Sequence, residues 1–319
     1  MNCSRCDKKA IIKLRYAGLN LCKDCFIEFF EKRVAKTIGE NKYLDGTRQK
    51  TLKRQSNNII KSIAVALSGG KDSTAVLYIL SKMLKNKRIK LFAITIDGGI
   101  KGYDDKLLKN AKAVCKKLGI TLHVFTLKKE FGFGLDKIAR ARPKLCNCGI
   151  FRRYLLNKKA RELKADKLAT GHNLDDEDES IIMNVIRGDV DRITRGDGII
   201  KDKKFVPRIK PLQRSPENEV LLYAKFIFPK IKFGYECPYR KRVLRYNIKK
   251  MIDALEKQHS GIKFQIFEGN KKIRESLLSC MKESGKPNIC KACGEFTSGE
   301  VCQVCKLKGE IKDYLGKEK

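Results

Sequence analysis

Short apolar runs alternate with amphipathic stretches between residues 61 and 172 of the chain. Four runs have the length and apolar character of buried strands: KSIAVAL (61–67), KLFAITID (90–97), ITLHVFTL (120–127) and DKLATGH (166–172). The stretches between them are predicted to be helices: TAVLYILSKMLK (74–85), DDKLLKNAKAVCKKLG (104–119) and FRRYLLNKKARELKA (151–165). Strands that alternate with helices at this spacing predict an α/β fold with a doubly wound parallel sheet.

A polar, glycine-rich loop separates the first predicted strand from the first predicted helix. It consists of Ser68, Gly69, Gly70, Lys71, Asp72 and Ser73. Ligands of doubly wound sheets bind at the carboxyl ends of the strands, where this loop falls. Its glycines let backbone N–H groups surround an anion at the positive end of the helix dipole, and its lysine and second serine add donors. Asp72 repels a bare phosphate, so its presence implies a bridging Mg²⁺ or a catalytic role. The loop is too short for a Walker A motif.

An acidic cluster lies at the end of the fourth predicted strand, in TGHNLDDEDES (170–180). One interpretation is that Asp175, Asp176 and Glu177 complement the dipole of the helix that begins there. The other is that Asp175 or Asp176 holds Mg²⁺ or positions a substrate. We favour the second interpretation, because the same sheet edge carries the SGGKDS loop.

The charge of the chain is strongly positive, with 71 Lys and Arg residues against 36 Asp and Glu residues and a net charge of +35. Such a field attracts polyanions, of which nucleic acid is the usual one. The alternative is a solvated lysine-rich surface, but Glu does not rise together with Lys as it does in such proteins. The N-terminus lacks the apolar region of a signal peptide, and no apolar run is long enough to span a bilayer. We therefore expect a cytoplasmic protein without membrane contact, in which cysteines serve as metal ligands or in catalysis rather than in disulfides.

Eight of the 13 cysteines form two sets of paired C-x-x-C motifs. The first set is Cys3, Cys6, Cys22 and Cys25, and the second is Cys290, Cys293, Cys302 and Cys305. Each pair turns two thiolates toward one point, and two pairs complete the tetrahedron that Zn²⁺ accepts. The sequence therefore predicts a structural zinc ribbon near each end. Cys115 and Cys280 are predicted to be small core residues, which leaves Cys146, Cys148 and Cys237.

These motifs resemble a known family. SGGKDS after a strand resembles the loop of the PP-loop ATP-binding superfamily, whose fold is like that of the adenine nucleotide alpha hydrolases. GHNLDDEDE, the cysteines at 146–148, FRRYLLN, PLQRSPENEVLLYA (211–224) and ECPY (236–239) resemble the tRNA thiolation branch, and most of all the 2-thiouridine synthetases with zinc ribbons at both ends. The likeness covers nearly the whole chain, and the motifs fall in family order.

The resemblance implies an ATP-dependent tRNA uridine 2-sulfurtransferase. The C2 carbonyl oxygen of a uridine attacks the α-phosphate of ATP, pyrophosphate leaves, and sulfur then replaces the activated oxygen as AMP departs. The ATP site would comprise Ala66, Ser68, Gly69, Gly70, Lys71, Asp72, Ser73, Thr95, Ile96, Gly171, Asp175 and Asp176. The catalytic residues would be Asp72, Cys146, Cys148, Cys237, Arg152 and Asp176, with Arg153 as an alternative to Arg152. A guanidinium at that position neutralises a phosphate or a developing oxyanion.

The resemblance also implies a [4Fe–4S] cluster held by three thiolates, from a C-x-x-C-G motif and a later cysteine. Cys148 and Cys237 match the second and third positions. The first position falls on Leu145, one residue before Cys146, so the C-x-C spacing is tighter than that of the family. The alternative is a mechanism without a cluster, in which one thiol accepts sulfur as a persulfide and another resolves it.

A basic stretch, YRKRVLRYNIKKM (239–251), is predicted to be a helix that contacts the tRNA backbone. Its basic residues are Arg240, Lys241, Arg242, Arg245, Lys249 and Lys250.

The predicted organisation is a zinc ribbon (1–30), a basic helical linker (31–60), a catalytic domain (61–270) and a second ribbon (286–319). The sulfur donor would be sulfide, a persulfide or a ubiquitin-like thiocarboxylate protein, and the family resemblance is compatible with a homodimer. Two alternative functions are modification of another base, such as cytidine 2-thiolation, and RNA binding with a regulatory nucleotide site.

Overall fold

The N-terminal segment of the chain forms a small hairpin followed by a long helix. The computed structural model describes residues 1–45, 60–141, 148–195, 204–239, 244–280 and 288–316. Strands β1 (Ile12–Leu14) and β2 (Leu19–Leu21) pair antiparallel, and helix α1 spans Lys23–Glu40. The predicted boundary between ribbon and linker at residue 30 thus falls inside one continuous helix.

A five-stranded sheet lies at the centre of the molecule. Its strands are β3 (Ser62–Ala66), β4 (Lys90–Asp97), β5 (Leu122–Thr126), β6 (Lys167–Ala169) and β7 (Arg208–Ile209). They are ordered β5-β4-β3-β6-β7, and every neighbouring pair is parallel. The chain therefore starts in the middle of the sheet, moves to one edge, and returns past the start to the other edge. This confirms the predicted doubly wound α/β fold.

Helices cover both faces of the sheet and extend beyond its carboxyl edge. Those before β7 are α2 (Lys71–Leu84), α3 (Asp104–Leu118), α4 (Leu127–Phe131), α5 (Leu135–Ala141), α6 (Cys148–Glu162), α7 (Leu174–Ile186) and α8 (Val190–Arg195). Those after β7 are α9 (Glu217–Ile227), α10 (Leu244–Gln258) and α11 (Ile262–Cys280). The predicted end of the catalytic domain at residue 270 lies inside α11. None of the described helices combines the length and apolar character that a membrane crossing requires.

Alternate residues of the strands enter two different cores, because successive side chains of a strand point to opposite faces. Ile63 and Val65 of β3 pack with α1, α2, α3 and α9, whereas Ala64 packs with α5 and α6. Each core also contains one of the cysteine-rich modules. The hairpin and α1 belong to the first core, and the C-terminal module belongs to the second.

The C-terminal module repeats the N-terminal arrangement on a smaller scale. Strands β8 (Asn288–Ile289) and β9 (Phe296–Thr297) pair antiparallel and precede helix α12 (Gln303–Gly316). The module is attached to α6 by an ion pair between Arg161 and Glu295, and the ring of Phe296 stacks on that of Phe205 with centroids 5.2 Å apart. Both modules thus share buried surface with the central domain rather than forming separate cores.

Candidate active site

The SGGKDS loop is packed tightly against helix α3. Gly69 has φ +83°, and a Cβ atom placed there would lie 1.9 Å from the carbonyl oxygen of Leu107. Only glycine fits, because a side chain would meet both a strained backbone conformation and the backbone of α3. The loop is closed by its own hydroxyls, since Ser73 Oγ lies 3.1 Å from the backbone nitrogen of Ser68, which donates to it. The N–H groups that begin α2 are therefore held in a fixed position.

A second glycine brings the end of β6 onto the same loop. A Cβ atom on Gly171 would lie 2.8 Å from the backbone nitrogen of Ser73 and 3.0 Å from the carbonyl carbon of Asp72. The side-chain amide of Asn173 donates a 2.8 Å hydrogen bond to Asp72 Oδ1. The loop after β3 and the segment after β6 are thus in direct contact, as expected for two neighbouring parallel strands that end at one edge.

A cleft of about 300 Å³ opens beside this loop. Among its lining residues are six with carboxyl groups and two with cationic side chains: Asp72, Asp175, Asp176, Glu179, Glu217 and Glu236, with Lys71 and Arg245. A polyphosphate is repelled by such a set of carboxylates unless a divalent cation lies between them. Hard oxygen ligands beside an anion-binding loop suit Mg²⁺, which is bound through one or two carboxylates and the phosphates of the substrate.

Lys71 is held in the cleft by two carboxylates. Its Nζ atom lies 2.9 Å from Asp72 Oδ2 and 2.9 Å from Glu217 Oε1. Burial disfavours the charged amine, but the two carboxylates outweigh it and raise the pKa of Lys71. For Asp72, burial disfavours the charged carboxylate and raises the pKa. For Glu217 the attraction of Lys71 and Lys249 overcomes burial and lowers the pKa to about 2. Lys71 and Glu217 thus remain charged at neutral pH.

The two adjacent aspartates of the acidic cluster have different partners. Asp176 forms a capping box with Asn173: its backbone N–H donates to Asn173 Oδ1 at 3.0 Å, and its carboxylate accepts from the backbone of Asn173 at 3.3 Å. Asp175, which is 5% exposed, links α7 to α9 and α11. It accepts hydrogen bonds from the backbone N–H of Glu217 at 2.7 Å and from Lys263 Nζ at 2.5 Å. Asp176, one third of whose side chain is exposed, is therefore the better placed of the two to meet a ligand.

The thiol of Cys237 lines the cleft together with Lys71 and Asp72. Cys148, the first residue of α6, lies near Cys237. Burial and the nearby Cys148 raise the pKa of Cys237, which the Arg152 guanidinium counteracts. The two thiols and the guanidinium are thus close enough to interact. Cys146 lies outside the described residues.

Arg152 is fixed by a buried carboxylate. Its Nη2 atom donates a 2.7 Å hydrogen bond to Asp104 Oδ1, and Asp104 is 6% exposed. Burial disfavours the charged guanidinium, but Asp104 outweighs it and raises the pKa of Arg152. Gly98 leaves room for the pair, since a Cβ atom there would lie 2.9 Å from Asp104 Oδ2 and 3.0 Å from Arg152 Nη2. Within the part of the chain that the structure describes, the Nε atom of Arg152 is buried without a hydrogen-bond partner.

Each cysteine-rich module brings its four sulfur atoms within 4.8 Å of one another. In each module the second pair lies at a helix N-terminus: Cys22 and Cys302 immediately precede α1 and α12, and Cys25 and Cys305 lie in their first turns. The backbone N–H of Cys22 also donates to the sulfur of Cys3 at 3.3 Å. Helix dipoles and N–H donors both favour thiolates, so each set of sulfurs suits a tetrahedral metal ion.

Several predicted site residues lie away from the lining of the cleft. Ala66, Thr95 and Ile96 are at the carboxyl ends of β3 and β4, where the Thr95 hydroxyl donates to the Leu67 carbonyl at 2.5 Å. Arg245, by contrast, lines the cleft and also contacts α7, with Nη2 2.5 Å from Ser180 Oγ and Nε 3.3 Å from Glu179 Oε2. Three further predicted tRNA contacts lie outside the described residues: Arg240, Lys241 and Arg242.

Sequence reasoning missed Glu217, Asp104 and Lys263 as parts of the site. Glu217 and Asp104 are acidic residues in the first turns of their helices, where acidic residues commonly occur without a further role. Lys263 had no motif around it. Lys249, predicted to contact the tRNA backbone, pairs with Glu217 and is 18% exposed. Within the described residues, these groups acquire their roles through partners that are distant in the sequence.

The chain is similar to known proteins both in its domains and over its whole length. A family profile described as PP-loop domain matches residues 44–233, and one described as 2-thiouridine synthetase TtuA, N-terminal LIM domain, matches residues 2–27. The chain is 33% identical to a tRNA-5-methyluridine(54) 2-sulfurtransferase of Pyrococcus horikoshii, covering 98% of this chain and 95% of the relative. It is 32% identical to cytoplasmic tRNA 2-thiolation protein 1 of Oryza sativa, covering 99% of this chain and 84% of the relative.

A solved structure has the same fold over almost the whole chain. It is the U34-tRNA thiolase NcsA from Methanococcus maripaludis with its [4Fe-4S] cluster, which is 35% identical and superposes with a TM-score of 0.77, covering 98% of this chain and 96% of that one. The domain match extends over more than half of the chain, and the relatives match it nearly end to end. The chain therefore belongs to the PP-loop family of tRNA thiolation sulfurtransferases.

Proposed function

We propose that the protein is an ATP-dependent tRNA uridine 2-sulfurtransferase, which adenylates the C2 carbonyl oxygen of a uridine and replaces it with sulfur. The observation that carries the proposal is that one cleft is lined by Lys71 and Asp72 of the phosphate-type loop and by Cys237. Cys148 and Arg152 lie close enough to Cys237 to interact with it. An adenylated base in this cleft thus meets both the activating and the sulfur-handling residues.

The loop side of the cleft would bind ATP. Backbone N–H groups at the start of α2, together with Lys71 and Ser73, would hold the pyrophosphate portion. Asp72 and Asp176 would hold the Mg²⁺ that the surrounding carboxylates require. The uridine oxygen then attacks the α-phosphate, forming an O–P bond as the bond to pyrophosphate breaks. Lys71 stabilises the negative charge that the leaving pyrophosphate carries.

The thiol side of the cleft would deliver sulfur. Cys148 and Cys237, with Cys146 as the third thiol, would hold a [4Fe–4S] cluster like that named for the Methanococcus maripaludis relative. When bound, such a cluster supplies an iron with an open position for an exogenous sulfur atom. Sulfide sulfur forms a bond to C2 and the C2–O bond breaks, so AMP leaves with the original oxygen. Arg152, oriented by Asp104, would neutralise the charge on the departing AMP.

Both cysteine-rich modules would hold structural Zn²⁺, since their sulfur sets are closed by four thiolates. The partner is tRNA, as the names of the relatives indicate. Those names differ in the modified position, 54 in one and 34 in another, so the proposal names uridine as the class of target. A cytoplasmic location agrees with the name of the Oryza sativa relative. The sulfur donor and the homodimer stay predictions.

Replacement of one loop carboxylate tests the proposal. Purified protein is incubated anaerobically with ATP, Mg²⁺, sulfide and unmodified tRNA, and the digested nucleosides are identified by mass spectrometry. We expect 2-thiouridine together with equal amounts of AMP and pyrophosphate, and none of these from Asp72→Asn. The matched control is Asp105→Asn, an exposed aspartate on α3 that accepts only from the Gly102 backbone among the contacts described.

Three results would overturn the proposal. Unchanged thiolation in Asp72→Asn would remove the loop from the chemistry. Formation of 2-thiocytidine would change the substrate. Binding of ATP and tRNA without AMP formation would favour an RNA-binding protein with a regulatory nucleotide site.

A further inference from the structure

A second cavity, of about 310 Å³, lies among the end of α1 and helices α7, α8 and α11. Its lining carries five basic and two acidic side chains. Two of the basic groups are neutralised locally, because Lys210 Nζ lies 2.7 Å from Glu177 Oε1 and Arg214 Nη1 lies 2.7 Å from Glu40 Oε2. Both acidic side chains of the lining are thereby paired, so the lining keeps an excess of positive charge.

The surplus comes from Arg192, Lys271 and Arg274. In the described part of the chain, no carboxylate pairs with Lys271 or Arg274. The Nε atom of half-buried Arg274 donates to the carbonyl of Thr194 at 3.0 Å, which orients the guanidinium without neutralising it. Among the described residues, Arg192 pairs with one carboxylate, since its Nε atom lies 3.2 Å from Asp189 Oδ2. Cations gathered at a concave site in excess of their counter-charges are suited to an anionic ligand.

The cavity is connected to the active-site cleft by basic side chains. Ser180 lines the cavity, and its hydroxyl accepts a 2.5 Å hydrogen bond from Arg245, which lines the cleft. Arg153, on α6 next to Arg152, also has no carboxylate partner among the described residues. Burial and the charges of Arg245 and Arg192 lower the pKa of Arg153, so these three guanidiniums lie near one another.

We infer that this cavity, with Arg153 near Arg245 and Arg192, binds backbone phosphates of the tRNA next to the target uridine. The inference rests on the proposed function and extends it by naming the surface that receives the flanking nucleotides. The cleft itself is acidic, so backbone phosphates on either side of an inserted base need a basic surface outside it. The run of guanidiniums from Arg245 through Arg153 and Arg192 to Arg274 starts at the rim of the cleft and ends in the cavity. Phosphate contacts of this kind position the nucleic acid and carry no base specificity.

Salt-dependent binding of a tRNA transcript tests the inference. The variants are Lys271→Met and Arg192→Met, both at exposed positions in the lining of the cavity. The matched control is Arg88→Met, an exposed arginine between α2 and β4, at the opposite edge of the sheet. Affinity is measured by fluorescence anisotropy at several salt concentrations, after melting curves and zinc content have shown that each variant is folded.

We expect each of the two variants to bind tRNA several-fold more weakly than the wild type. Loss of one phosphate contact should also reduce the slope of log K against log salt by about one, whereas Arg88→Met keeps the wild-type affinity and slope. In the thiolation assay the KM for tRNA should rise while kcat is retained.

Wild-type affinity and slope in both variants, in a protein that thiolates tRNA, would overturn the inference and leave the proposed function standing. A protein that thiolates no tRNA would overturn the proposed function. In that case weaker tRNA binding by the two variants would still support the basic cavity as an RNA-binding surface.

Discussion

Glu217 and Glu219 are two residues apart in the first turn of α9, and they hold two different parts of the molecule. Glu217 Oε1 lies 2.9 Å from Lys71 Nζ in the active-site cleft. Glu219 is 1% exposed, accepts from the Tyr16 hydroxyl at 2.7 Å, and lies 2.9 Å from Arg33 Nη1. One helical turn therefore connects the N-terminal module to the lysine of the phosphate-type loop.

Removal of the buried cation at this connection should be costly. Arg33→Met leaves Glu219 buried without its ion-pair partner, which typically costs about 3–5 kcal/mol. The control on the same helix is Lys36→Met, whose pair with Glu40 is exposed and typically worth less than about 1 kcal/mol. Urea unfolding measures both, and we also expect a higher KM for ATP in Arg33→Met. Equal losses in the two variants would contradict the connection.

Gly69→Ala should damage the loop more than its backbone conformation alone explains. An alanine at positive φ costs about 1–2 kcal/mol by itself. Gly102→Ala measures that cost alone, because Gly102 has φ +76° and no atom of the described residues lies within 4 Å of an added Cβ. Gly69→Ala must in addition displace α3 at Leu107, so we expect a larger loss of stability and weaker ATP binding. Indistinguishable unfolding midpoints for the two variants would show that the contact with α3 is unimportant.

Metal analysis should distinguish the role of Cys148 and Cys237 from that of the cysteines in the two modules. Anaerobically purified protein is expected to contain two zinc ions, one for each four-sulfur set, and about four iron and four sulfide per chain. Cys148→Ser and Cys237→Ser should lose the iron and keep both zinc ions. The control Cys115→Ser should keep all of them, because Cys115 is 4% exposed in the core. Zinc without iron in reconstituted wild-type protein would remove the cluster and favour persulfide chemistry.

The buried thiol of Cys115 should make stability fall at high pH. Burial raises the pKa of Cys115 to about 11 from a usual value of 9.0. Between these values the unfolded chain has lost the proton and the folded chain keeps it, so the free energy of unfolding falls as pH rises. The full shift corresponds to roughly 2–3 kcal/mol. The stability advantage of the wild type over Cys115→Ala should therefore shrink by that amount between pH 9 and 11 in urea unfolding. A constant difference across that range would contradict a buried, protonated thiol.

The sequence by itself determined the features that depend on neighbouring residues. Strand β4 has the predicted bounds, because an apolar run of strand length cannot remain in water. The loop after β3 was recognised from its glycines, and the two sets of sulfurs from C-x-x-C spacing, since both are properties of short segments. The alternation of strands and helices along the chain predicted the parallel sheet, because right-handed crossovers permit few other arrangements.

Only the tertiary structure decided which side chains face one another. Lys71 and Glu217 are separated by 146 residues, and Arg152 and Asp104 by 48. Lys249, a basic residue in a basic stretch, was predicted to contact the tRNA backbone, and its ion pair with the cleft residue Glu217 was not foreseen. The N-terminal ribbon was predicted to end at residue 30, and α1 continues past that residue and packs into the central core. A local pattern of apolar and polar residues specifies a helix or a strand, because it shows which side chains of that segment are buried. The partners of a charge depend on which strand ends and helix termini the topology brings to the same edge.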